Sequence, residues 1–123
     1  MPTVERSNVR TYKETIVCLG QIDKTYNSLT KEVEVESCVL EAYVDRRVAE
    51  AELSLEVEVQ LGDLTSHGWE IDEDEHEGDV GYVYDDVLWI EKHVAYFKRQ
   101  NISNGGYDRK EVVLYLDTVS VMK

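Results

Sequence analysis

Several features are scarce in this chain, and each scarcity narrows what it can be. One proline and seven glycines in 123 residues leave no Ser/Gly-rich linker and no room for a low-complexity segment. No repeat occurs at the periods of solenoids or propellers. No apolar run approaches the length of a membrane span, and Met1-Pro2-Thr3-Val4-Glu5-Arg6 lacks the apolar region of a secretory signal. A cytoplasmic (cytosolic or intravirion) protein is the expectation. The two cysteines, Cys18 and Cys38, form no C-x-x-C pair and sit among apolar neighbours, so both read as buried free thiols. Positive charge is also missing over a long stretch: no lysine lies between Lys31 and Lys92.

What fills that stretch is acid. The whole chain carries a net charge of −13. From Glu32 to Asp86 nineteen Asp/Glu face only Arg46 and Arg47, a net of −17, and the remainder is net positive. This asymmetry repels nucleic acid and anionic membrane and attracts basic proteins or cations. A hydrophobic content of 42% suits one globular domain over residues 1–123, with residues 1–10 a frayed start.

The most regular stretch runs from Ala49 to Leu61. Ala, Leu and Val occupy its odd positions, while Glu50, Glu52, Ser54, Glu56, Glu58 and Gln60 occupy the even ones. Strict alternation predicts a half-buried strand. Lys31–Val44 alternates as well, with Val33, Val35 and Val39 against Glu32, Glu34 and Glu36, until the pattern blurs after Ser37, which predicts either a bulge near Ser37 or a far end covered on both sides. Joined through Asp45-Arg46-Arg47, the two segments predict a hairpin over 31–61. Its register sets Glu36 opposite Glu56, Glu34 opposite Glu58 and Glu32 opposite Gln60. Like charges so placed are destabilising, which a basic partner or a cation would relieve.

Elsewhere, Tyr12–Ile22 reads as a strand, Asp23–Thr30 and Gly62–Gly68 as loops, and Trp69–Ile71, Val80–Tyr84 and Val112–Met122 as further strands. Val87, Ile90, Val94 and Phe97 recur at helical spacing behind Asp85 and Asp86, with Lys98 and Arg99 at the far end, and predict a helix near 86–99. The fold expected is therefore α+β and β-rich, mainly an antiparallel sheet of about five strands with one helix.

No nucleophile elbow, phosphate-binding loop, dinucleotide fingerprint or zinc-helix motif occurs, so no catalytic residue is assigned and a non-enzymatic protein is expected. Two binding readings follow. In the first, an anionic face engages a basic protein surface as a nucleic-acid mimic would, using Glu34, Glu36, Glu56, Glu58, Glu70 and Asp72, without contacting nucleic acid or membrane itself. Trp69, Tyr82, Tyr84 and Trp89 flank the acidic region and are candidate anchors. In the second, Asp72, Asp74, Glu75, Glu77, Asp79, Asp85 and Asp86 bind or buffer Ca2+, although their spacing does not match an EF-hand.

Overall fold

A computed structural model describes residues 13–122; the expected fraying of residues 1–10 lies outside them. Among the described residues, six strands and one helix follow in the order β1 (Lys13–Tyr26), β2 (Val33–Tyr43), α1 (Arg46–Ser66), β3 (Glu70–Ile71), β4 (Gly78–Tyr84), β5 (Val87–Gln100) and β6 (Tyr107–Met122). The strands form one antiparallel sheet, β2-β1-β6-β5, and the far edge of β5 is shared by β4 and β3. The β-rich α+β class and most strand positions match the sequence reading. The helix is where a strand was expected, and a strand is where the helix was.

Residues 46–66 fold as α1, so the 31–61 hairpin does not form. Ala, Glu, Leu and Gln are among the better helix formers, and they dominate 49–61. Asp45 is not a loop residue but the helix cap: its carboxylate accepts the Arg47 N–H at 2.8 Å. The far end stops at Gly68, whose φ of 87° a side chain would resist. The alternation misled because two residues turn a helix by about 200°. Successive odd residues therefore fall on opposite sides. Ala49, Leu53, Val57 and Leu61 face the sheet; Ala51, Leu55 and Val59 face outward.

Residues 87–100 fold as β5 because Asp85 and Asp86, with φ of 53° and 60°, turn the chain sharply and pair Tyr84 with Val87. Of the four residues at helical spacing, Val94 falls on the sheet face away from α1, and a bulge brings Ile90 and Phe97 to the other. Val80 pairs with Lys92 but Gly81 with Ile90, so Glu91 is an extra residue on β5. Parity reverses there, and Ile90 joins Phe97 on the core side although one position is even and the other odd.

A second bulge sits in β2. Leu19 pairs with Glu41 and Gly20 with Val39, leaving Leu40 extra, three residues beyond the Ser37 position expected. Before it, Glu34, Glu36 and Cys38 share the side of α1; after it, Glu41 and Tyr43 do.

α1 crosses one sheet face and closes two apolar clusters. Ala49 and Leu53 pack on Val17, Leu19, Leu114 and Leu116; Leu64 packs with Trp69, Ala95, Phe97 and Val112. Both cysteines are free, as expected, but neither is fully buried: Cys18 is half-buried and Cys38 is exposed on the edge strand of the sheet. Cys18 pairs with Ala42 and Cys38 with Gln21, which puts the two thiols on opposite faces.

Candidate binding surface

The antiparallel register of β1 and β2 builds the first half of an anionic lane. Val17 and Leu19 contact α1, so the same parity on β1 brings Gln21 and Asp23 to that face. Asp23 lies opposite Glu36, a direct cross-strand pair of like charges, and Glu34 follows opposite Thr25. Gln21 donates to both carboxylate oxygens of Asp23, at 2.9 and 3.1 Å, and so fixes its direction.

The second half comes from the flank of α1 nearest β2. Tyr43 ends β2 against the core, and its phenol is pushed above the ordinary tyrosine value of 10.0 by burial first, then by Glu52, Glu41 and Glu56. Glu56 accepts from the Gln60 amide at 3.0 Å. Asp23, Glu34, Glu36, Glu41, Glu52 and Glu56 thus border one side of the molecule. Among the described residues none of the six is in an ion pair.

The residues singled out in the sequence are distributed unevenly over this surface. Glu34, Glu36 and Glu56 belong to the lane. Glu58 is exposed on the other flank of α1, and Glu70 is exposed in β3 at the opposite edge of the sheet, paired in register with Lys98. The opposition of Glu36 to Glu56 and of Glu34 to Glu58 is lost with the hairpin. The sequence pattern does not single out Asp23, Glu41 and Glu52. Alternation at 49–61 hid the flank of Glu52, and nothing local marks Asp23 as the neighbour of Glu36.

Asp72 is overturned as an exposed ligand. It is only 3% exposed, and one oxygen meets the Arg109 guanidinium at 2.6 Å while the other accepts the Asp74 N–H. The remaining carboxylates of the calcium reading are spread out. Asp74 and Glu75 are exposed in the turn after Asp72. Glu77 and Asp79 flank His93, with Asp79 at 2.8 Å from Nδ1 and Glu77 at 3.5 Å from Nε2. Asp85 and Asp86 occupy the β4–β5 hairpin tip, about 30 Å from the level of Asp72 along β5 at ~3.3 Å per residue. Among the described residues no three His, Cys, Asp or Glu side chains converge as a metal site would need.

The aromatic anchors also separate. Trp69 is core, with Arg99 stacked 4.3 Å and Lys110 5.3 Å from its ring. Trp89 is half-buried beneath Arg47, whose guanidinium lies 4.2 Å from the ring. Tyr82 and Tyr84 share the Trp89 face of the hairpin and are exposed. Basic side chains therefore collect around Trp69 and at the start of α1, away from the lane. On the opposite sheet face a cleft of about 190 Å³ is bordered by Lys24, Tyr26, Asp72, Glu75, Tyr96 and Arg109, a mixed-charge lining.

Chemically, ionised carboxylates are acceptors only. Held on two strands and a helix, they form a fixed anionic surface that complements Lys and Arg donors. No protein-family model, curated protein or solved structure matches the chain. No helix among the described residues is long and apolar enough to cross a membrane.

Proposed function

We propose that the protein is a non-enzymatic acidic binding protein that engages a basic protein surface through the lane between β2 and α1. One observation carries the reading. Glu36 is set directly against Asp23, with Glu34, Glu41, Glu52 and Glu56 on the same side and no cation paired to any of them among the described residues. Opposed like charges cost stability in the free protein. A ligand bearing Lys or Arg removes that repulsion and gains charge-assisted hydrogen bonds, so the same residues that weaken the fold strengthen the complex. Screening acts over about 8 Å at physiological ionic strength, and binding should weaken steeply with salt.

The test compares two variants with the same charge change. Glu34, Glu36, Glu52 and Glu56 are changed to Gln in one; Glu73, Asp74, Glu75 and Asp86 are changed to their amides in the other. Retention of Lys/Arg-rich proteins at physiological salt should be lost in the first and kept in the second. Equal loss in both would mean that bulk negative charge, not this lane, does the binding. Displacement of a retained partner by duplex DNA or RNA would identify that partner's basic groove as a nucleic-acid site and support the mimic form of the reading.

A further inference from the structure

The outward side of α1 carries a feature that the charge distribution does not explain. Val48, Ala51, Leu55, Val59 and Gly62 follow one another at intervals of three and four residues, so they form a straight apolar stripe about 21 Å long at 1.5 Å per residue. Val48 is 46% exposed, Leu55 55% and Val59 59%. The core needs none of them, since the opposite side of the helix already supplies Ala49, Leu53 and Leu64. On an ordinary surface helix these positions are polar.

The flanks of the stripe define what can lie on it. At 100° per residue, Glu52, Glu56 and Asp63 line one border, which is wholly acidic; the other carries Glu58 among Ser54 and Thr65, with Arg47 at its start. Two copies of α1 laid face to face would press carboxylate against carboxylate along the shared border, and the stripe is therefore ill suited to self-association. A helix with an apolar ridge bordered by Lys and Arg fits on both counts. Ridges spaced three and four residues apart interlock with those of another helix, and its Lys and Arg meet the border of Glu52, Glu56 and Asp63.

We infer that the exposed stripe of α1 is a docking site for a basic amphipathic helix of a partner protein. The inference rests on the anionic reading above and adds the apolar seam that gives such a contact its register and specificity.

Two synthetic peptides of identical composition separate the two ideas. One places leucines at i, i+3, i+4 and i+7 between lysine and arginine borders; the other is scrambled. Binding to the full chain is measured by fluorescence anisotropy at physiological salt, with wild type and with Leu55→Gln/Val59→Gln. Both substituted side chains are exposed, and circular dichroism should show unchanged helix content. The amphipathic peptide is expected to bind at least about tenfold more tightly than the scrambled one to wild type, and the double variant should erase that difference while keeping weak, salt-sensitive binding of both. Equal binding of the two peptides, unaffected by the variant, would overturn the stripe and leave the anionic lane standing. Binding of neither would overturn both. A wild-type dimer in sedimentation that becomes a monomer in the double variant would assign the stripe to a second copy and overturn the partner helix.

Discussion

The Glu50 carboxylate of α1 accepts the backbone N–H of Ile90 at 2.7 Å, across forty residues of sequence. The bulge at Glu91 lies beside this bond, where β5 runs beyond its pairing with β6, which ends at Lys92 and Tyr115. Arg46 completes the junction: it donates to the Ile90 carbonyl at 2.9 Å and to Thr118 Oγ1 at 3.2 Å. Glu50 in turn lies 3.7 Å from Arg46 and 3.2 Å from Arg47. The start of α1 thus satisfies backbone groups that the ladder leaves open, and it offsets two arginines placed at the unfavourable end of the helix dipole. Glu50→Ala would leave the half-buried Ile90 N–H without its acceptor and remove the carboxylate beside Arg46 and Arg47, and should cost about 1–3 kcal/mol in urea denaturation. Glu50→Gln keeps an acceptor for Ile90 and should lose less. Equal losses would mean that charge, not the Ile90 bond, is what matters.

Asp108 ties two loops together. Its Oδ1 accepts the Ser28 N–H and the Ser28 hydroxyl, each at 2.9 Å, and the Asn101 amide at 3.4 Å. The Ser28 N–H is the main cause of a carboxyl pKa below the ordinary 3.8; the Ser28 hydroxyl, the Asn101 amide and the Arg99 charge add to it, and burial opposes it. Because the folded value is the lower one, the unfolded chain binds more protons on the acid side. The stabilisation is complete above the ordinary value and is lost as pH falls through the folded one. Asp108→Ala should cost about 1–3 kcal/mol at neutral pH. Asp108→Asn should flatten the acid limb of the melting profile, and an unchanged limb would show that other carboxyls produce it.

Two glycines should respond in opposite directions to the same substitution. A methyl group at Gly81 would run into the Trp89 carbonyl where the strands close on the bulge, and Gly81→Ala should destabilise by about 1–3 kcal/mol. Gly62 lies within α1 with open space around it, and Gly62→Ala should stabilise by up to about 1 kcal/mol. Thermal melts of the two variants suffice. A neutral Gly81→Ala would mean that the bulge relaxes without strain.

The legible parts of the fold were those whose patterns are local. Turn residues and β-branched alternation located β1, β2, β4 and β6, and the acidic imbalance from Glu32 to Asp86 is a property of composition. The errors came from two periodicities that coincide with others. Alternation at 49–61 is compatible with a helix that is apolar on two sides, which only an exposed second stripe makes possible. Helical spacing at 87–97 is compatible with a strand once Glu91 bulges out. Asp72 misled for a different reason: its partner Arg109 is thirty-seven residues away, and one ion pair turned an exposed acid into a buried one. In the lane, Glu34 and Glu36 were visible in the pattern of β2, whereas Asp23 opposite Glu36 depends on strand pairing that no local signal specifies.

Tyr43 reports on the lane without any partner being known. Burial first, and then Glu52, Glu41 and Glu56, raise its phenol above 10.0. Tyr96 is raised as well, by burial, Glu111 and Glu75. Titration followed by phenolate absorbance should therefore resolve two late tyrosines, and Tyr43→Phe should remove one of them. Glu52→Gln/Glu56→Gln should move the Tyr43 step back toward the ordinary value and leave Tyr96 in place; Glu75→Gln/Glu111→Gln should do the reverse. The folded state holds this proton more tightly than the unfolded chain, so the protein loses stability as pH rises from about 10 toward the folded value. Tyr43→Phe should lessen that alkaline loss. If Glu52→Gln/Glu56→Gln leaves the Tyr43 titration unmoved, the two carboxylates do not face the phenol, and the lane loses the wall that α1 supplies.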